Sequence, residues 1–495
     1  MKKSIRILTL LIGLVFLFSA TGCNLFITEE VTSTSISWPS TSATTTTTST
    51  GTGDTTGTGG ADTPTGNGTT TATTTKTTAG VRTEPKLSGK LELQIFTNES
   101  QTADGGWTTV INEFEDATGV SVTAHIGSSV NTMMSGRWKK DNPPDMVWID
   151  GSGISDLVYE TSGKFYDITS LYEDGYVYGT NTRIRDVIDP NMMTRNNGKI
   201  MRMPLLSTAG GVWYDAKFFK ENNFTVPNNY TELLAMAKQA KAAGYASYTY
   251  PGMYASYCLS NFIMPAVAAY GQEYTDQFLS GSKAAVGDSR FKKILQNYTD
   301  FCRTDGYLMP STTTADHTTV QQRWITHKCL LIANGLWLPD ETRKLWAKQN
   351  FDMTWHPSPM IEEGQKQTVL ITAKKVAVAS KAKNLDNALA FVRFILREDS
   401  QNTLMYSFGY MGVRTDMQFD VQKFVREAGG SDASLSTASA LSYINSNKVD
   451  RVYWNESWGQ LGDIIAAELN NLAMKGGSAT VDSALSKILS ECGKP

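Results

Sequence analysis

The chain has 495 residues, 40% hydrophobic, 10% aromatic and 19% charged, with a formal net charge of −3. Charges of both signs are dispersed and no basic stripe neutralises phosphates, which excludes nucleic acid as a partner. From Leu87 to Pro495 the chain exceeds the size at which one hydrophobic core stops growing, so two lobes are expected.

Lys2, Lys3 and Arg6 precede an apolar run from Ile7 to Phe18 and the small residues Ser19, Ala20 and Gly22, the pattern of a secretory signal peptide over residues 1–22. The apolar run is about a dozen residues, short of the roughly 20 needed to span a membrane. Ala20-Thr21-Gly22-Cys23 resembles a bacterial lipobox, with Ala20 where Leu is usual. That resemblance implies cleavage before Cys23 and its acylation, with several acyl chains giving stable anchoring. Residues 23–86 are rich in Thr, Ser and Gly and nearly free of apolar residues, so they cannot offset the entropy of ordering. A stalk is predicted there, with a reach on the order of 40 Å; its Thr-rich tracts, such as Thr44 to Thr48, suit O-glycosylation.

Leu91, Leu93 and Ile95 alternate with polar residues as a strand, and a polar loop runs from Thr97 to Gly106. Trp107, Val110, Ile111 and Phe114 then fall at the spacing of an amphipathic helix ended by Gly119, and Val120, Val122, Ala124 and Ile126 alternate as a second strand. This is a βαβ unit. Met146 to Ile149, after Pro143-Pro144-Asp145, is apolar on both faces, as a central parallel strand should be, and Asp150 closes it. Gly210 to Tyr214 leads to Phe218, Phe219 and a helix that Thr231 would cap and Gly244 would stop. An apolar strand returns at Val376 to Ala379, before a helix that Asp386 would cap; the C-terminal stretch is helical around Leu461 to Leu472 and Leu485 to Leu489. Alternating strands and helices define the α/β class.

Besides Cys23, the cysteines are Cys258, Cys302, Cys329 and Cys492, without a C-x-x-C pair or regular His spacing, so no zinc site, other metal or redox motif is expected. Two disulfides in any of three connectivities and four buried thiols fit equally. No G-x-S-x-G or H-E-x-x-H motif is present, and the chain is read as a non-enzyme without cofactors.

The order and spacing of several segments resemble the family 1 extracellular solute-binding proteins, the capture subunits of ABC importers, maltose-binding-protein-like. They are Trp107 to Glu115, Pro144 to Trp148, Gly163 to Thr169, Gly198 to Pro204, Trp213 to Phe219 with Pro227 to Leu234, His327 to Trp337, and Val376 to Leu396. The resemblance implies a two-lobed periplasmic-binding-protein-like α/β fold with a hinge and a ligand cleft. It places lobe 1 at about 87–205 and 371–411, and lobe 2 at about 206–370 and 412–495. It further implies a monomer that captures a carbohydrate outside the cell and hands it to a membrane permease, held to the outer face of the cytoplasmic membrane through Cys23. A surface sensor or adhesive module, or a glycoside hydrolase acting through a carboxylate pair, are the alternatives.

Sugar hydroxyls seek carboxylates and amides, and sugar C–H faces seek aromatic rings. Open α/β sheets bind ligands beyond the carboxyl ends of their strands, which singles out Asn98, Glu99 and Asp104 in the first loop and Asp150 after the third strand. Helix capping is the competing role for Asp104 and Asp150. Asn334-Gly335-Leu336-Trp337 matches the family's Asn-Gly-x-Trp, which implies that Trp337 stacks on a sugar ring; a core tryptophan is the alternative. Tyr254, Tyr257 and Asn261, after the Pro251-Gly252 turn, lie where the family lines its cleft. Trp148, Trp213 and Tyr214 are read as packing residues.

Overall fold

The computed structural model describes residues 82–97, 101–150, 156–254, 256–346, 350–417, 420, 425, 432–446, 448–454 and 459–493. The signal peptide, Cys23 and the stalk up to residue 81 lie outside the described residues, as do Asn98 and Glu99.

Strands β1 (Lys90–Ile95) and β2 (Ser121–Ile126) pair in parallel across the helix Gln101–Thr118, with Leu93 opposite Ala124. The βαβ unit forms because Trp107, Val110, Ile111 and Phe114 recur on one helix face; all four are buried, and Phe114 meets Phe391 and Phe394 edge to face at 5.0 and 5.3 Å. Strand β3 (Met146–Ile149) pairs in parallel with β1 on one side. On its other side lies β8 (Thr368–Val378), antiparallel, so the sheet is mixed rather than all parallel. The apolar character of Met146 to Trp148 follows from coverage of both faces, which either strand direction allows.

One buried carboxylate joins the sequence segments that meet here. Asp145, 2% exposed, accepts hydrogen bonds at Oδ1 from the backbone N–H of Lys383 (2.7 Å) and Asn384 (3.0 Å), and at Oδ2 from Glu92 N–H (2.8 Å) and Asn384 Nδ2 (2.9 Å). It therefore fixes β1, β3 and the start of the helix Leu385–Phe394 to one another. Asn384 is the N-cap of that helix, and Asp386, expected as the cap, sits inside its first turn. The helix Tyr230–Ala242 is likewise capped two residues earlier than expected: Asn229 accepts from Glu232 N–H, with Thr231 already helical. Gly244 follows it with φ +85°, a conformation open to glycine.

Strand β4 (Met203–Asp215) is longer than its sequence signal, because Pro204 and the glycine pair Gly210-Gly211 interrupt an apolar run that the ladder carries through. Its first half pairs with β8; its second half pairs with β6 (Cys329–Gly335) and β7 (Met353–His356). Strand β5 (Ala246–Thr249) adds to β6 in parallel, β9 (Met411–Gly412) to β4, and β10 (Asp450–Trp454) to β8 in parallel. Two large cores result. One packs β1 to β3 against the helices Gln101–Thr118, Leu385–Phe394 and Glu398–Phe408. The other packs β5 and β6 among helices that include Ser289–Arg303, Gly459–Ala473 and Val481–Glu491. The long strands β4 and β8 run between them.

Cys258, Cys302, Cys329 and Cys492 are free, buried thiols, and burial pushes the Cys258 thiol up to about 12. Among the described residues no helix is long and apolar enough to cross a membrane, and no group of three or more His, Cys, Asp and Glu side chains could hold a metal ion.

Contacts with the domain begin upstream of Leu87. Glu84, 9% exposed at its side chain, accepts two hydrogen bonds from the Arg393 guanidinium (2.5 and 2.8 Å) and one from Gly179 N–H (2.9 Å), while Arg82 lies over the Tyr176 ring at 4.3 Å. Burial opposes the charge of Glu84, but Arg393 and Gly179 outweigh it and hold the carboxyl below its ordinary value. A chain begun at Leu87 discards this pair and leaves Arg393, 17% exposed, without its carboxylate. Denaturant unfolding should find it about 1–3 kcal/mol less stable than a chain begun at Arg82. Asp145→Ala, which orphans four donors, should cost about 3–5 kcal/mol in the same measurement.

Candidate functional site: an aromatic cleft across the β4–β8 ladder

Side chains of β4 and β8 alternate between two faces. On one face Ser207 and Ile371 line a cavity of about 290 Å³ with Met405, Met411 and Met417. On the other face stand Thr208 and Gly210, and here the candidate residues converge.

From the first core, Asp150 follows β3 and its Oδ1 accepts from Lys374 Nζ of β8 at 2.8 Å. Its backbone is set by a buried polar relay. Trp138 Nε1 donates to Gln94 Oε1, Gln94 Nε2 to Asn131 Oδ1 and Asn131 Nδ2 to the Asp150 carbonyl, each at 2.8 Å. Asp150 is thus an ion-paired group whose carboxylate is already engaged. Asp104 lies within the first turn of its helix rather than at the cap, and its Oδ1 is buried with no hydrogen-bond partner among the described residues. The same holds for Thr97 Oγ1, Trp107 Nε1 and Trp148 Nε1, all at the carboxyl ends of β1 and β3 or on the helix between them. Trp148 and Trp213 are fully buried, in keeping with packing; Trp213 Nε1 donates to the Gly335 carbonyl at 2.9 Å.

Trp337 follows β6 and lies over it, packed against the first core. Gly335 and Gly210 are register partners in the β6–β4 ladder. A Cβ built on Gly335 would fall 2.1 Å from the Trp337 ring, and one on Gly210 would fall 2.2 Å from Asn261 Oδ1. The paired glycines are therefore a requirement of close approach: the indole rests against bare backbone. Asn261, 3% exposed, belongs to a π-helical turn, Leu259–Ile263, a distortion that recurs at functional sites. Its Nδ2 donates to the Tyr257 carbonyl and Ser260 Oγ, both at 3.0 Å, but its Oδ1 has no partner among the described residues, nor has Thr208 Oγ1.

Aromatic rings connect the two sides without a break. Trp107 meets Trp148 at 5.6 Å, Trp148 meets Phe408 at 6.0 Å, and Phe408 meets Tyr410 at 5.5 Å. Tyr410 then meets Trp337 at 6.2 Å, Trp337 meets Tyr257 at 6.5 Å, and Tyr257 meets Tyr254 at 6.4 Å, next to His317 at 5.7 Å. Burial raises the Tyr257 and Tyr410 hydroxyls well above their ordinary value, and both also feel the carboxylates of Asp150 and Glu341, so groups from both cores face one space. Tyr254 is 41% exposed, at the outer end of the row.

The structure thus brings together Asp150, Trp337, Tyr254, Tyr257 and Asn261 from the sequence candidates. It adds Tyr410, Lys374, Thr208 and Glu341, which sequence reading missed. The signal for Glu341 was present, four residues after Trp337 in a short helix, Leu338–Glu341. Tyr410 and Lys374 carry no local signature, since only strand pairing brings them to the cleft.

Residues 98–402 match the family of bacterial extracellular solute-binding proteins, more than half of the chain. The chain belongs to that family. Among its relatives is the diacetylchitobiose binding protein NgcE of Streptomyces coelicolor, 23% identical over 272 residues, which are 53% of this chain and 57% of that protein. The chain therefore spans less than two thirds of the length of this curated relative. Apo RafE from Streptococcus pneumoniae has a similar fold, with a TM-score of 0.59, 18% identity, and coverage of 83% of this chain and 98% of that one. So has the GacH receptor of Streptomyces glaucescens, solved unliganded and with acarbose, with a TM-score of 0.60, 16% identity, and coverage of 82% and 97%.

The close approach of Trp337 to Gly335 makes a test of the geometry. Gly335→Ala should lower stability by about 1–3 kcal/mol, the usual cost of overpacking. Trp337→Ala in the same chain should recover most of that loss, a coupling that a denaturant double-mutant cycle reads directly.

Proposed function

We propose that this protein captures a carbohydrate, an oligosaccharide, in the cleft described above and delivers it to the membrane permease of an ABC importer. The observation that carries the reading is the aromatic row, which runs from one core to the other through Tyr410 and presents Trp337 on a glycine floor. Rings supply stacking surfaces for sugar C–H faces. The unpartnered Thr97, Asp104, Thr208 and Asn261 oxygens supply hydrogen-bonding partners for hydroxyls. A buried polar group without a partner costs about 1–3 kcal/mol, which a hydroxyl-rich ligand offsets by pairing it. The names of NgcE and of solved structures bound to raffinose and acarbose agree with a sugar ligand.

Function here needs differential affinity rather than a catalytic group: the state with both halves closed on the ligand binds it more tightly. The crossings at β4, β8 and the segment around Met411 serve, in this reading, as the hinge of such a motion, with lobes limited at about 205, 371 and 411. In this reading the protein is a monomer at the outer face of the cytoplasmic membrane, exported by its signal peptide, acylated at Cys23 and lifted by its Thr-rich stalk. The family resemblance also assigns Asn98 and Glu99 to the ligand.

Thermal unfolding with and without N,N′-diacetylchitobiose, raffinose and stachyose tests the proposal. A sugar present at about 100 times its Kd should stabilise the fold by ~2.7 kcal/mol. Absence of any shift, together with release of new reducing ends, would replace capture by hydrolysis. Trp337→Ala should weaken binding of the responding sugar by about 1–3 kcal/mol while the unliganded melting temperature changes little.

A further inference from the structure

Besides Asp104, the cleft has the carboxylates Asp150 and Glu341, and these two are not equivalent. Asp150 is ion-paired with Lys374 at 2.8 Å. Glu341, on the other side, has no cation within ion-pair distance among the described residues; its Oε2 accepts a single hydrogen bond, from Gln321 Nε2 at 2.9 Å. Gln321 is 3% exposed on the helix His317–Ile325, so it is a fixed donor rather than a surface side chain. Glu341 is exposed to solvent. Its backbone N–H donates to the Trp337 carbonyl at 3.0 Å, which puts carboxylate and indole in one helical turn.

An exposed carboxylate with one protein donor keeps acceptor capacity for a further donor. The groups facing it from neighbouring elements do not supply this. Asp340 is paired with Arg343 at 3.0 Å, His317 is stacked beside Tyr254 at 5.7 Å, and Asp150 with Lys374, Tyr257 and Tyr410 lie across the cleft. Two adjacent ring hydroxyls match the two oxygens of one carboxylate, and the sugar face beneath them would lie on the indole one turn earlier.

Resting on the carbohydrate reading, we propose that Glu341 is a specificity-determining acceptor that takes a pair of neighbouring hydroxyls from the sugar unit stacked on Trp337, with Gln321 as its positioning residue. The ligand unit at this end of the cleft then carries a free vicinal diol. Burial also raises the Glu341 carboxyl above its ordinary value, with His317 and Gln321 acting in the opposite direction. Since the ionised form accepts the diol, affinity falls as pH drops through that raised value.

The experiment is isothermal calorimetry of the intact protein with N,N′-diacetylchitobiose, raffinose and stachyose, followed by the tightest binder in variants from pH 7 to 4. Glu341→Gln should weaken binding ten- to hundred-fold and flatten the pH profile, with an unliganded melting temperature close to wild type, because the side chain is exposed and an amide oxygen still accepts from Gln321. Gln321→Met should weaken binding several-fold and keep the slope, and His317→Gln should also keep it. Unchanged affinity or an unchanged slope in Glu341→Gln overturns the inference and leaves carbohydrate capture standing. So does lost affinity accompanied by a lower melting temperature, which makes Glu341 structural. If wild type binds none of the three sugars, the carbohydrate reading and this inference fall together.

Discussion

The antiparallel ladder between β4 and β8, from Met203 opposite Val376 to Ala209 opposite Ile371, is the constraint on which the structure depends. It is backbone hydrogen bonding whose apolar side chains pack in the first core, and the same two strands reach the second core through Val212 and Leu370. Extra strands stiffen its flanks, β9 on β4 and β10 on β8. A bulge between Pro204 and Leu206 concentrates bending at one end. The ladder is also only two side chains thick in effect, with the aromatic cleft on one face and a methionine-lined cavity on the other. A thin ribbon with yielding thioethers behind it can flex where a packed slab could not.

The cleft floor follows from the same ladder. Where β4 leaves β8 and joins β6, the facing residues are Gly210 and Gly335, and the absence of two Cβ atoms lets Asn261 and the Trp337 indole lie against the backbone. The aromatic row is then completed by Tyr410, which arrives through a third crossing beside β9. The candidate recognition groups are thus drawn from several distant chain segments.

Local structure near β1 to β3 was legible in the sequence because its periodicities are unbroken. The buried helix face at Trp107, Val110, Ile111 and Phe114 is an unambiguous 3.6-residue pattern. The Asn-Gly-x-Trp segment likewise pointed to Trp337, and the position after Ile149 to Asp150. Less legible were features made by distant pairing. The antiparallel entry of β8 beside β3 cannot be read from an apolar tetrapeptide, because both directions bury the same residues. The caps at Asn229 and Asn384 each precede a residue equally able to cap, and only the backbone geometry separates them. Lys374 and Tyr410 were invisible as site residues, since their positions depend on strand register across more than 200 residues of chain. The unequal carboxylates were invisible for the same reason.

The Glu84–Arg393 pair has a mechanical meaning. Arg393 belongs to the helix Leu385–Phe394, Gly179 and Tyr176 pack beside it, and all sit with the first core. Any pull on the chain ahead of Arg82 enters through that clasp and spreads into the β1–β3 sheet through Asp145 and its helix-capping neighbour Asn384. Because β3 is hydrogen-bonded to β8, the load passes on from that sheet into the long strands, and the clasp and the β4–β8 ladder belong to one mechanical path.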